Sequence, residues 1–263
     1  MPHRYKLTLS YDGTQYSGWQ IQPNAPTIQE HVQNAAKKLL KKNTPIIAAG
    51  RTDAGVHALK QVAHFDHESS VDENIFLKGT NGILPKDIRI LNIEPVSRNF
   101  HARYGAIKKT YHYYLSGNPF QNPFRRLYSH HIRHKIDIAL MRKAAAFLIG
   151  EHDFSSFANE AYAGSAAKNP IRNIHRIDII EENDNFVRLE FEANSFLYKM
   201  VRNITGTLLE IASGKRPISD MEKILQAKDR RKAGKAAAPN GLFMVSVDYP
   251  EQQKDSLDFR NER

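Results

Sequence analysis

Nine consecutive residues, Gly50-Arg51-Thr52-Asp53-Ala54-Gly55-Val56-His57-Ala58, hold a carboxylate, a guanidinium, a hydroxyl, an imidazole and two glycines. A carboxylate can serve as nucleophile or base, and a guanidinium can pair with an anion. Arg51 and Asp53 are two apart, so an irregular backbone can aim both at one site. The glycines let the chain turn and come close to a ligand. The stretch follows a short apolar run, Pro45 to Ala49, and precedes a strand-like one, Gln61 to Asp66. A loop between strands is where a rigid scaffold carries function. Asp-x-Gly is also ordinary turn chemistry, because aspartate can bond the backbone two residues on.

Four other clusters invite a chemical reading. His64-Phe65-Asp66-His67-Glu68 contains metal-ligand types. On a strand, however, His64 and Asp66 share one face and His67 takes the other, which fits a solvated edge better than a metal site. His130, His131 and His134 lack nearby carboxylate or thiolate partners and make a weak zinc set. Lys109-Thr110-Tyr111-His112-Tyr113 puts two tyrosines on one strand face, as core or as a surface on which a base stacks. In Lys199-Met200-Val201-Arg202-Asn203, Lys199 and Arg202 are i,i+3 neighbours if the run is helical. With Met200 and Val201 as core, Arg202 is expected to face a cleft; an ordinary exposed arginine is the alternative.

The surrounding elements must position these groups. Tyr5, Leu7, Leu9 and Tyr11 alternate with polar residues and predict a strand. A loop follows from Asp12 to Pro26 and holds the only tryptophan, Trp19. Thr27 to Glu30 reads as a capping box before a helix whose apolar face is Ile28, Val32, Ala36, Leu39 and Leu40. Lys37, Lys38, Lys41 and Lys42 fit its solvated face. A helix is expected over Glu73 to Gly82. The next strand should place Ile88, Ile90 and Asn92 on one face and end at Pro95, and Lys108 to Leu115 should form another. The spacing predicts a helix over Ile138 to Ile149, a hairpin around Asn183-Asp184-Asn185, a helix from a Ser195 cap to Ser213 and a short one over Asp220 to Ala227. Glu151 to Phe157 leads into a mobile-looking run of small residues ending at Pro170. Lys228 to Lys235 reads as a solvated basic loop, Leu242 to Val247 as a final strand, and Asp255 to Arg263 as a frayed polar tail. These elements predict an α+β fold with a mostly antiparallel sheet. The expected division is 1–116 as an N-terminal half with the Asp53 loop and the Tyr111 strand, 117–136 as a connection, 137–250 as a C-terminal half with the Arg202 helix, and 251–263 as a tail.

Across 263 residues the formal net charge is +10, from 38 lysines and arginines against 28 acids. Such a balance favours a polyanionic partner, nucleic acid before membrane. The chain has no cysteine, which excludes disulfides, thiolate zinc sites and zinc deaminase chemistry and suits the cytoplasm. It shows no run of about 18 apolar residues and no visible signal peptide.

The Gly50–Ala58 stretch closely resembles the catalytic loop of TruA-type tRNA pseudouridine synthases. The resemblance runs in order along nearly the whole chain. It includes Tyr11-Asp12-Gly13-Thr14, Gly18-Trp19-Gln20-x-Gln22, Lys109 to Tyr113, Gly150 to Phe157, Phe196 to Asn203 and Ala238-Pro239-x-Gly241-Leu242-Phe243. Lys199 departs from what many members carry.

The resemblance implies a mixed, mostly antiparallel sheet with flanking helices, in two similar halves around a basic cleft. It implies a homodimer acting on tRNA, at uridines 38, 39 and 40 of the anticodon stem-loop, without cofactor or metal. In that reaction the N1–C1′ bond breaks, the uracil turns, and a C5–C1′ bond forms. Asp53 matches the family's essential aspartate, as nucleophile at C1′ or as the base that takes the 2′ proton. Arg202 matches its ionic partner, Arg51 the residue that helps hold the nucleotide out of the stem, and Tyr111 the tyrosine that stacks on the uracil. Two other readings stand beside this one. A non-catalytic RNA-binding protein would use the same basic surface and tyrosines. A glycosidase or nucleoside hydrolase would need a second acid, for which Asp12 and Asp153 are available.

Overall fold

The alternation at the N-terminus produces a strand, β1 (His3–Tyr11), with Tyr5, Leu7, Leu9 and Tyr11 all buried. The computed structural model describes residues 2–159 and 169–251. The expectations for the small-residue run over 160–168 and for the tail fall outside the described residues. After β1 come α1 (Ile28–Leu40), β2 (Ile47–Ala48), β3 (His57–His67), α2 (Glu73–Ile83), β4 (Ile88–Val96), β5 (Lys108–Ser116) and β6 (His130–His131). The chain continues with α3 (Ile138–Ala146), β7 (Gly150–Asp153), β8 (Ile171–Glu181) and β9 (Phe186–Ala193). It closes with α4 (Met200–Ala212), α5 (Asp220–Ala227) and β10 (Leu242–Asp248).

The strands form one sheet ordered β4-β1-β3-β10-β5-β9-β8-β7, with β2 added to β3 and β6 to β5. The β3–β10 and β5–β6 pairings are parallel and the others antiparallel, so the fold is α+β as expected. The last strand lies between β3 and β5 and joins the strand after the Asp53 loop to the strand that carries Tyr111. Helices α1 and α2 pack together, α2 covers β4, and α3 packs on α4 and β8.

Several local expectations are corrected. Thr27 occupies the N-cap position of α1, but its buried hydroxyl makes no cap bond. The first helical amides are instead satisfied by the preceding loop, Ile28 donating to Gly18 O at 3.1 Å and Gln29 to Trp19 O at 3.0 Å. Asn92 does not share a face with Ile88 and Ile90. Leu9 pairs with Ile90 but Thr8 with Asn92, so a bulge at Leu91 turns Ile93 inward instead. His64 is not on a solvated edge. It pairs with Lys6 on one side and Ile47 on the other and is 2% exposed. Helix α3 ends at Ala146, before the expected Ile149. Helix α4 begins at Met200 rather than after Ser195, because Lys199 takes a left-handed φ of 60° that no right-handed helix continues through. Lys199 is therefore outside the helix that holds Arg202. The basic loop is only in part solvated: Ala233 and Gly234 are buried, and Arg230 is partly buried and donates to Asn203 Oδ1 at 2.9 Å.

Candidate active site

The Asp53 loop leaves β2 and enters β3, whose first residues, His57 and Ala58, belong to the strand. Its shape is set by bonds to segments distant in sequence and by one turn bond of its own. Trp19 N donates to Thr52 O at 3.1 Å, Gly55 N to Tyr16 O at 3.2 Å, and Val56 N to Asp53 O at 3.1 Å. Below it the Tyr11 and Thr52 hydroxyls are 2.9 Å apart in the core, and Gln61 Nε2 donates to Gly50 O at 2.9 Å. Burial pushes the Tyr11 pKa up to about 12, so its hydroxyl stays protonated. Gly18 makes the approach of the Trp19 segment possible. Its φ is +91°, and a Cβ there would lie 2.5 Å from Thr52 O.

Arg202 reaches the loop from α4. Its Nη1 donates to Asp53 Oδ2 at 2.7 Å, across 149 residues of sequence. The two side chains are only 13% and 11% exposed. The guanidinium is fixed from behind, Nε donating to Ala237 O at 2.8 Å while Ala237 N donates to Arg202 O at 2.9 Å. That segment can lie on α4 only because position 206 is glycine, where a Cβ would sit 1.8 Å from Lys235 O. Met200 and Val201 are core, as the spacing implied.

Tyr111 and Tyr113 lie on one face of β5, both buried. The Tyr111 ring meets Phe196 edge-on, with centroids 5.2 Å apart. Burial, with Tyr11 and the Asp53 carboxylate as further causes, pushes its pKa far above the ordinary phenol range. It is a neutral hydroxyl at physiological pH. Arg51 is exposed beside Asp53. The fold thus gathers Asp53, Arg202 and Tyr111 into one site and leaves Arg51 on its surface.

The two spare carboxylates are already committed. Asp12 Oδ1 accepts from Thr14 N at 2.9 Å and Thr14 Oγ1 at 2.5 Å, and its Oδ2 accepts from Tyr128 OH at 2.7 Å. Burial raises the Asp12 pKa, but these bonds and nearby His57 outweigh it and leave the group below the ordinary carboxylate range. In Asp153, burial is likewise outweighed by the bonds from Ser155 and by Lys228. A general acid needs a raised pKa, so neither suits that role.

Sequence reasoning gave no role to His57, which is 1% exposed. Its Nε2 donates to Leu127 O at 3.1 Å, and its Nδ1 lies 3.1 Å from Gly13 N and 3.0 Å from Asp12 Oδ1. Burial lowers its pKa despite Asp12, so the ring is neutral and ties the loop to two other segments. Its position inside the loop motif was the only available signal.

A model of the tRNA pseudouridine synthase family matches residues 8–105 and 144–250. Those stretches contain Arg51, Asp53 and Arg202 and leave out Tyr111. The tRNA pseudouridine synthase A 1 of Protochlamydia amoebophila is 54% identical over 257 residues, covering 97% of this chain and 100% of its own. The tRNA pseudouridine synthase A of Limosilactobacillus reuteri is 47% identical over 251 residues, covering 94% of this chain and 97% of its own. That of Chlamydia muridarum is 43% identical over 253 residues, covering 95% and 93%. The chain belongs to the tRNA pseudouridine synthase family, whose members isomerise uridine to pseudouridine. Among the described residues no helix is long and apolar enough to cross a membrane.

Proposed function

We propose that the protein converts uridines 38, 39 and 40 of the tRNA anticodon stem-loop to pseudouridine, through Asp53. The observation that carries this reading is the part-buried Asp53–Arg202 pair, formed at 2.7 Å between a loop and a helix 149 residues apart. A guanidinium bonded to a carboxylate fixes its direction, as the reaction requires. Breaking the N1–C1′ bond builds positive charge at the sugar, which an ionised carboxylate stabilises or captures. Tyr111 stacks on the uracil, and Arg51, exposed at the loop surface, holds the nucleotide out of the stem. The reaction moves a bond within one molecule and adds nothing, so its chemistry calls for no cofactor. The protein works as a cytoplasmic homodimer, its halves 1–116 and 137–250 flanking a basic cleft.

Tritium release from unmodified tRNA labelled at uridine C5 tests the reading, because forming the C5–C1′ bond expels that hydrogen. Release by wild type and a loss of roughly ten-thousand-fold or more in Asp53→Ala are expected. Release by both would remove Asp53 from the essential role. Release by neither, with tRNA still bound, would favour the non-catalytic RNA-binding reading. Mapping the modified positions in the product tests the anticodon stem-loop assignment.

A further inference from the structure

Lys109 is a buried cation with no anion beside it among the described residues. It is 8% exposed, and its Nζ donates to Ala49 O at 2.7 Å, at the base of the Asp53 loop. A Cβ on Gly50 would lie 3.5 Å from that nitrogen. Among the described residues no carboxylate pairs with it. An ammonium has three donors, and leaving such a group buried and uncompensated is costly.

The neighbours make the imbalance larger. Lys109 pairs with Ala193 and Ala193 with Ile174, which puts Arg172 at the same end of the sheet two strands away. Arg172 Nε is buried and has no hydrogen-bond partner among the described residues, although its Nη1 donates to Asn169 O at 2.9 Å. Arg103 stands on the turn that leads into β5. Burial first, then these two guanidinium groups, push the Lys109 pKa down to about 8. At neutral pH the lysine is still mostly charged. On β5 it shares a face with Tyr111, two residues or about 7 Å along the strand.

We propose that Lys109, with Arg172 and Arg103, holds a backbone phosphodiester of the RNA strand beside the Asp53 loop. The proposal rests on RNA being the substrate and names the residues that seat the strand. A phosphate supplies the missing charge and the missing acceptors together. Because Lys109 also holds Ala49 O, the bound phosphate is coupled to the base of the catalytic loop.

The test is equilibrium binding of an unmodified tRNA transcript across a range of salt, for wild type, Lys109→Met and Arg172→Gln, with thermal unfolding of each free protein. Lys109→Met should weaken binding about 10- to 30-fold and lower the slope of log Kd against log salt by about one. Its Tm should equal or exceed that of wild type, because an apolar residue replaces an unpaired buried charge. Arg172→Gln should show the same loss of slope. The double variant should lose less than the product of the single effects, because the two groups share one phosphate. Unchanged binding by Lys109→Met with a lower Tm would make the lysine a tether of Ala49 and overturn the proposal. So would weaker binding with the salt slope intact. If Lys109→Met fails to fold, an unaltered slope in Arg172→Gln overturns it alone. Failure of wild type itself to bind tRNA would instead remove the proposed substrate, and this site with it.

Discussion

Two cations withdrawn from solvent, Arg202 in part and Lys109 almost wholly, are treated oppositely. Arg202 has a carboxylate at 2.7 Å and a backbone carbonyl at 2.8 Å, so its charge is met within the fold. Lys109 has one carbonyl at 2.7 Å, and two guanidinium groups repel it. The first arrangement fixes the direction of the Asp53 carboxylate within the fold. The second leaves a deficit that a ligand can fill. Buried charge alone therefore does not mark a stabilising contact; what matters is whether the partner lies inside the chain.

The sharpest way to break this contrast is Arg202→Met. It leaves the part-buried Asp53 carboxylate without its cation, which should cost at most about 3–5 kcal/mol of stability and nearly all activity. Urea denaturation and tritium release read the two effects. Lys109→Met should show loss of binding without loss of stability, so equal stability losses in both variants would erase the distinction.

His64 supplies a third case, a buried group that avoids the problem by staying neutral. Burial, then Arg4 and His101, lower its pKa to about 4. As pH falls below about 6.5 the unfolded chain takes up the proton first, so stability present above that pH is lost between pH 6.5 and 4. Wild type should lose on the order of 2–3 kcal/mol more than His64→Gln across this window. Matching losses in urea titrations at pH 7 and pH 4.5 would contradict that.

Gly18→Ala probes the backbone clamp rather than the charges. Strain at φ +91° and the collision with Thr52 O should destabilise by about 1–3 kcal/mol and lower kcat more than binding. A drop in tRNA affinity alone would mean that the clamp does not shape the site. The smallest expected effect is at the exposed lysines of α1. Lys37→Gln and Lys38→Gln should change tRNA affinity by less than about twofold and stability by less than about 0.5 kcal/mol. A larger loss of binding would move that face into the RNA interface.

Much of this arrangement was legible in the order of residues. The alternation from Tyr5 to Tyr11 specifies a half-buried strand, and the Asn183-Asp184-Asn185 turn specifies a hairpin because both signals are local. The Asp53 loop stood out because chemically distinct groups are crowded beside glycines. Other features could not be read this way. The α1 cap is made by Gly18 and Trp19 carbonyls rather than by Thr27, and the start of α4 depends on one left-handed residue, Lys199. His64 reads as an edge residue until β2 is laid along it.

The sequence by itself determined which residues could do chemistry, the element types around them and the positive balance of charge, since these follow from composition and short-range periodicity. Only the tertiary structure decided that Arg202 meets Asp53, that Asp12 and Asp153 are committed elsewhere, and that Lys109 is buried without a carboxylate partner among the described residues. Pairing and burial arise where segments far apart in the chain come into contact, and no local pattern of residues encodes which segments those will be.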